Sequence, residues 1–194
     1  KPPQPVGPEF NLETIWPGME NWDEVSAWAS ASPELSDAII ETSHRTIIGL
    51  PYGGDKVPAT YPPTGVVIEI WAGGNISKNE FRYLDALKGI LAYSTAETYR
   101  RLEAGAVQEA MDLATAQLWM LRKFCDRDFL LEKMTSMELL ITSLQNMRDY
   151  FYAYSDKIDA SRLRHVVRKE LPFLRTDRSR LFIPEGDRIV AEEI

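Results

Sequence analysis

Few residues in this sequence are of the types that perform catalysis or bind a metal ion. It has two histidines, His44 and His165, far apart in the chain, and one cysteine, Cys125. A helical zinc motif needs two histidines one turn apart with a glutamate between them, and no such spacing occurs. A single cysteine excludes an intrachain disulfide, and its place after Phe124 favours a buried thiol. We therefore predict no metal site and no cofactor.

Other short arrangements resemble catalytic motifs, but structural roles explain them more simply. Ser43 and His44 are adjacent, yet a nucleophile and its base need a third group, and none is evident. Asp126 and Asp128 match an acid pair for glycoside chemistry, but helix capping accounts for both. The segment Gly53–Lys56 lacks the spacing of a phosphate loop. We predict no catalytic residue. The alternative is an enzyme of unrecognised type whose pocket is formed by the Pro- and Gly-rich 51–75 connection.

An aromatic cluster is the first candidate binding surface. Its side chains are too closely spaced to share one stripe of a helix, so some must point away from the core. They are Tyr150, Phe151, Tyr152 and Tyr154. Most of them are expected to pack in the core. The remainder are expected to form a partner surface, because tyrosine is favoured at partly solvated positions.

A basic segment is the second candidate surface. It contains Arg162, Arg164, Arg168, Lys169, Arg175, Arg178 and Arg180. A solvated or salt-bridged helix face is the simpler explanation, and docking to an acidic partner, anionic lipid or nucleic acid is the functional one. The candidate partner-binding residues are Arg162, Arg164, Arg168, Lys169, Tyr150, Tyr152 and Tyr154.

Composition narrows the class of protein. The 194 residues are 44% hydrophobic and 26% charged, with a net charge of −7. This is an ordinary globular mixture, so the chain can fold around its own core. An acidic balance disfavours nucleic acid as a partner. The apolar runs are all too short to span a bilayer, so no transmembrane segment is expected in this chain.

The sequence divides into three parts. We expect an extended, Pro-rich segment at 1–20, a single helical domain at 21–175 and a C-terminal tail at 176–194. The opening proline-rich spacer suggests a membrane anchor or signal sequence upstream, although a frayed terminus explains it equally well. On this ground a cell-envelope location is slightly favoured over a cytoplasmic one.

The N-terminal half combines short helices with a small β element. Helices are expected from Trp22 to Ala29 after an Asn21 cap, and from Pro33 to about Arg45 after a Ser32 cap. Between about 46 and 71, short β-branched runs separated by Pro and Gly predict two strands, Thr46–Leu50 and Gly65–Trp71.

Helical periodicity governs the rest of the chain. A capping-box spacing at Ser77–Glu80 predicts the start of a helix that Gly105 ends. A second helix, a third capped by Asp126 or Asp128, and a fourth starting at Asp159 and stopped by Pro172 follow after short links. The predicted inner residues of the first are Phe81, Leu84, Leu87, Leu91, Thr95, Thr98 and Leu102, and of the second Val107, Ala110, Ala114, Leu118, Leu121 and Phe124 or Cys125. Those of the third are Leu130, Met134, Met137, Leu140 or Ile141, Leu144, Met147 and Phe151, and of the fourth Leu163, Val166, Val167 and Leu171.

The segment Tyr99–Leu113 resembles the turn of a tetratricopeptide (TPR) helical hairpin. A helix there ends in Ala104 and Gly105, and Glu109 and Ala110 open the next one. From about Trp28 to Met147 the chain also resembles a group of uncharacterised bacterial proteins, which often carry an N-terminal membrane anchor. The resemblance implies a TPR-like helical fold and an envelope location, and it implies no catalytic activity.

These observations predict a mainly α-helical fold, an antiparallel helical bundle with a TPR-like hairpin and a small β element in its N-terminal half. The predicted function is a non-catalytic scaffold or adaptor for a protein partner. Besides the enzyme, a self-associating structural component of the envelope is the remaining alternative, so a homo-oligomer is left open.

Overall fold

The computed structural model describes residues 15–46, 48, 52–53, 66–70, 76–81, 83–174 and 184–193. Within these residues the chain is mainly helical, and its helices contact one another as a bundle. The helices are α1 (Trp22–Ser30), α2 (Pro33–Ser43), α3 (Tyr83–Glu103), α4 (Val107–Phe124), α5 (Leu130–Ala153), α6 (Ala160–His165) and α7 (Glu185–Glu193). A π-helical turn, Val166–Glu170, and a 3-10 turn, Leu171–Leu174, continue α6.

The first two helices confirm the predicted helical segments, although neither Asn21 nor Ser32, which precede them, makes a side-chain capping hydrogen bond. α2 begins at Pro33, whose missing N–H costs nothing in the first turn of a helix. α1 packs against α3 and α2 against α4. The hydroxyl of Tyr93 donates a 2.7 Å hydrogen bond to the Ser32 carbonyl, so the start of α2 is tied directly to α3.

Backbone pairing joins three short strands in the chain between α2 and α3. They are β1 (Tyr52–Gly53), β2 (Val66–Ile70) and β3 (Ile76–Phe81). β1 runs parallel to β2, and β2 runs antiparallel to β3. The helix predicted to start at Ser77 begins only at Tyr83, because strand pairing engages the backbone of β3. Most of the predicted strand Thr46–Leu50 and most of the 51–75 connection lie outside the described residues.

The α3–α4 hairpin forms the centre of the bundle. Gly105 has a φ of 80°, a left-handed conformation that closes a helix at little cost only for glycine. Three residues join the two helices, which contact each other extensively and so run antiparallel. The predicted inner faces are confirmed for both helices from Leu84 to Leu121, since these side chains are buried. Val107 is only half-buried.

The later helices differ from prediction at their ends. The residue before α5 is Phe129, whose N–H donates a 3.2 Å hydrogen bond to Glu132 Oε2, so the predicted aspartate cap is wrong. Asp159 does cap α6, accepting a 3.0 Å hydrogen bond from the Ser161 N–H. Of the inner residues predicted for this helix, Val166 is buried, whereas Leu163 and Val167 are exposed.

The core consists of three apolar clusters along the bundle. One joins α1 and α2 to α3 and α4, and includes Ile15. A second lies where α3 begins and α4 ends, and a third where α3, α4 and α5 meet around Leu102, Leu118 and Tyr150. The α3–α4 pair contributes to every cluster and is therefore the platform for the other helices.

A buried carboxylate lies in the middle of this platform. Glu97 is 1% exposed and accepts hydrogen bonds from Arg100 Nε at 2.6 Å and Arg101 Nε at 2.7 Å. Burial by itself would raise the pKa of Glu97, but the two guanidinium groups outweigh it and hold the pKa below the usual 4.5.

Stability at acid pH should therefore depend on Glu97. A depressed pKa means that this carboxylate stabilises the fold above about pH 4.5, and that the contribution is lost as the pH falls below that value. We expect Glu97→Gln to flatten the dependence of the free energy of unfolding on pH between about pH 3 and pH 5, measured by urea unfolding. Parallel curves for the two proteins would contradict this.

Candidate functional site

The three tyrosines proposed as partner-binding residues occupy different environments. Tyr150 is buried, and its ring meets that of Tyr99 edge-on at 4.8 Å. Tyr154 also packs on Tyr99, with ring centres 6.2 Å apart. Tyr152 is 86% exposed at the end of α5. The cluster therefore does not form one surface, and only Tyr152 is presented wholly to solvent.

The four basic residues proposed to bind a partner also differ in their exposure to solvent. Arg164, Arg168 and Lys169 are exposed on α6 and the turn that continues it. Arg162 is only 22% exposed and donates from Nη2 to Asp112 Oδ1 at 2.5 Å. Arg175, Arg178 and Arg180 lie outside the described residues.

An exposed apolar stripe on α5 is the feature that the sequence misassigned. The sequence pattern predicts that all of its residues except Leu131 face the core, yet all five are between two-fifths and two-thirds exposed. The α5 stripe consists of Leu130, Leu131, Met134, Met137 and Ile141. Leu130, Met134, Met137 and Ile141 recur every three or four positions and so share one face of the helix, and Leu131 lies at the edge of that face.

The opposite face of α5 explains the error, because small and polar side chains form much of it. Asn146 Nδ2 donates a 3.0 Å hydrogen bond to Thr95 Oγ1 of α3, inside the bundle. Glu132, Ser136 and Ser143 are buried on the same side, where they let α5 approach α3 and α4 closely. Hydrogen bonds thus hold inward a face that hydrophobicity alone would turn outward.

The stripe borders a shallow groove of about 610 Å³. Polar residues of α5, namely Thr135, Glu138, Thr142 and Gln145, complete its lining. Glu138 is the charged residue among them, so the groove is apolar with an acidic side. This arrangement can hold an apolar surface and attract a cation.

Met147 is buried as predicted, whereas Met134 and Met137 are not. Met147 fills the core, as does Met120, and the two are 4% and 3% exposed. Met134 and Met137 lie on the α5 stripe, where a flexible thioether side chain adapts to an incoming surface.

The cysteine and the two histidines lie outside the stripe, the cysteine in the core and the histidines in a surface cleft. Cys125 is buried, and burial raises the pKa of its thiol to about 11, so it is protonated and unreactive. His44 and His165, distant in the sequence, line the same cleft between α2, α4 and α6. Within the described ranges, no cluster of three or more His, Cys, Asp or Glu side chains is arranged to hold a metal ion.

Among the helices that the structure describes, none combines the length and the hydrophobicity needed to cross a bilayer. Comparison of the chain with protein-family models, with curated proteins and with solved structures gives no match.

Proposed function

We propose that this chain is a non-catalytic adaptor that binds another protein through the α5 stripe. The observation that carries the proposal is a continuous, solvent-facing row of apolar side chains on a helix whose other face is held in the core. Soluble monomers seldom leave such patches uncovered unless they bind something.

The occupant that fits the stripe best is an amphipathic helix of a partner protein. Apolar side chains at successive turns of a helix can lie in a groove with this periodicity, and the two methionines tolerate variation in their shape. Glu138 beside the groove favours a partner helix flanked by Lys or Arg. The α3–α4 hairpin, which we propose to be TPR-like, supplies the rigid support on which α5 presents this face.

Photo-crosslinking in the native cell identifies the partner. A benzophenone amino acid placed at Met137 should give one distinct adduct with another protein, whereas the same group at Tyr152 should not. Both positions are exposed on α5, and Tyr152, at 86% against 42% for Met137, is the more accessible, so a missing adduct there is not explained by burial. Absence of an adduct at position 137 overturns the proposal, and an adduct only with a second copy of this chain replaces it with self-association.

Binding of the crosslinked partner segment, as a synthetic peptide, then tests the stripe quantitatively. Ile141→Glu should weaken binding at least about tenfold, because it places a charge against an apolar surface. Tyr152→Glu adds the same charge off the stripe and should leave the affinity within about twofold. Equal losses in the two variants would contradict the proposal.

The basic surface provides a second comparison. Arg164 and Arg168 are exposed and lie away from the stripe's lining residues. Their joint replacement by Glu should leave the peptide affinity within about twofold, since the proposal assigns binding to α5. A loss comparable to that of Ile141→Glu would return the docking site to the basic segment.

A further inference from the structure

A second cavity lies on a different side of the molecule, between α2, α4 and α6. It measures about 660 Å³, within the range of small-molecule sites. Ile40, Ala116 and the Trp119 side chain give it an apolar wall. Its polar lining is formed by Ser43, His44, Asp112, Thr115, Lys123, Arg162, His165 and Glu170.

The carboxylates in this cleft already have donors. Glu170 Oε2 accepts a 2.7 Å hydrogen bond from Trp119 Nε1, and Glu170 Oε1 lies 3.0 Å from His165 Nε2. Asp112 Oδ1 accepts from Arg162 at 2.5 Å, and Gln108 Nε2 lies 2.9 Å from each Asp112 oxygen. The negative charge of each acid is therefore already engaged by donors of the protein itself.

The cationic groups, in contrast, keep unused donors. An ammonium has three N–H groups, and Lys123 gives two of them to the carbonyls of Ser43 and Arg45. A guanidinium has five, and the Nε of Arg162 has no acceptor among the described residues. His44 is exposed at the end of α2, on the rim of the cleft. The unsatisfied hydrogen-bonding capacity of the cleft is thus mainly that of donors.

We propose that this cleft binds a small organic anion, a carboxylate or phosphate ester with an apolar body that packs on Trp119. Lys123 and Arg162 would hold the anionic group by charge-assisted hydrogen bonds. The cavity is larger than an inorganic anion needs, and its apolar wall accounts for the rest of the ligand. The site is separate from the α5 stripe and shares no lining residue with it.

Calorimetric titration of the full chain tests the class of ligand. The probes are phenylacetate, phenyl phosphate, inorganic phosphate and the neutral analogue phenylacetamide. We expect phenylacetate or phenyl phosphate to bind saturably below about 1 mM, and at least about tenfold more tightly than phenylacetamide. Preference between the two anions identifies the head group. Lack of saturation by both, or equal binding of the amide, overturns the proposal.

Variants at Lys123 locate the site. Lys123→Gln should weaken binding of the better anion about tenfold. Lys157→Gln is the matched control, because Lys157 also donates to a backbone carbonyl, at 3.2 Å from Leu102 O, but lies outside the cleft. Equal losses would place the binding elsewhere.

Lys123 also holds the end of α2, so a variant at Lys123 can weaken binding by disturbing the fold. Variants of different charge at His44 test the same site without this complication. His44 is exposed, and among the described residues its side chain makes no hydrogen bond or ion pair that a replacement would remove. His44→Glu should weaken and His44→Lys should strengthen anion binding, each by about threefold at low salt. Identical affinities of both variants would overturn the assignment to this cleft.

Discussion

Replacing Glu132 by alanine is expected to lower the free energy of unfolding by about 3 kcal/mol, as for other broken buried ion pairs. The side chain is fully buried at the start of α5. It accepts hydrogen bonds from the Tyr83 hydroxyl, the Phe129 N–H and Arg127 Nε. Alanine would leave a buried tyrosine hydroxyl and a nearly buried guanidinium without this acceptor.

Chemical denaturation followed by circular dichroism measures this loss. Glu138→Ala is the matched control, because it is the same substitution on an exposed face of the same helix, with an expected effect within about 0.5 kcal/mol. Glu132→Gln keeps most of the hydrogen-bonding capacity and should fall between the two. Comparable losses at positions 132 and 138 would show that the network does not hold α5 to α3.

Replacing Leu118 by alanine is expected to cost about 3 kcal/mol. Leu118 is 1% exposed and lies in the cluster where α3, α4 and α5 meet. The substitution removes buried methyl groups and leaves a cavity that its neighbours can fill only in part.

The same substitution on the α5 stripe gives the opposite expectation. Leu131 is 54% exposed, so Leu131→Ala should change the free energy of unfolding by less than about 0.5 kcal/mol. The contrast tests the orientation of α5 directly. If Leu131→Ala cost as much as Leu118→Ala, the stripe would be part of the core and the adaptor proposal would fail.

Sequence patterns located the helical bundle well where apolar side chains form the buried face. In α3 and α4 the repeat of leucine and alanine is the inner face, and Gly105 marks the turn between them. Local chemistry, namely glycine at a left-handed position and aspartate before α6, was also sufficient for these helix boundaries.

The same reasoning failed where polar side chains are buried. α5 turns Glu132 and Asn146 inward, because each has a hydrogen-bond partner on α3, Tyr83 and Thr95 respectively, and a single sequence does not show those partners. Without them, the apolar residues of α5 indicate a core face rather than a surface. The stripe was therefore missed, although its periodicity was visible.

The cleft could not be predicted from the sequence for a related reason. Its histidines, Lys123 and Arg162 come from three helices, and their proximity depends on packing rather than on spacing along the chain. The aromatic run at 150–154 marked a half-buried region, but only the structure shows that Tyr150 faces inward and Tyr152 outward.

The buried thiol between α4 and α5 is a built-in probe of local opening in this part of the bundle. Cys125 is the chain's single cysteine, and it accepts no reagent while covered and protonated. Alkylation must wait for that corner to open, so its rate reports the population of the open form at low reagent concentration and the opening rate when reaction outpaces closing. Wild-type protein thereby reports this local motion without any added label.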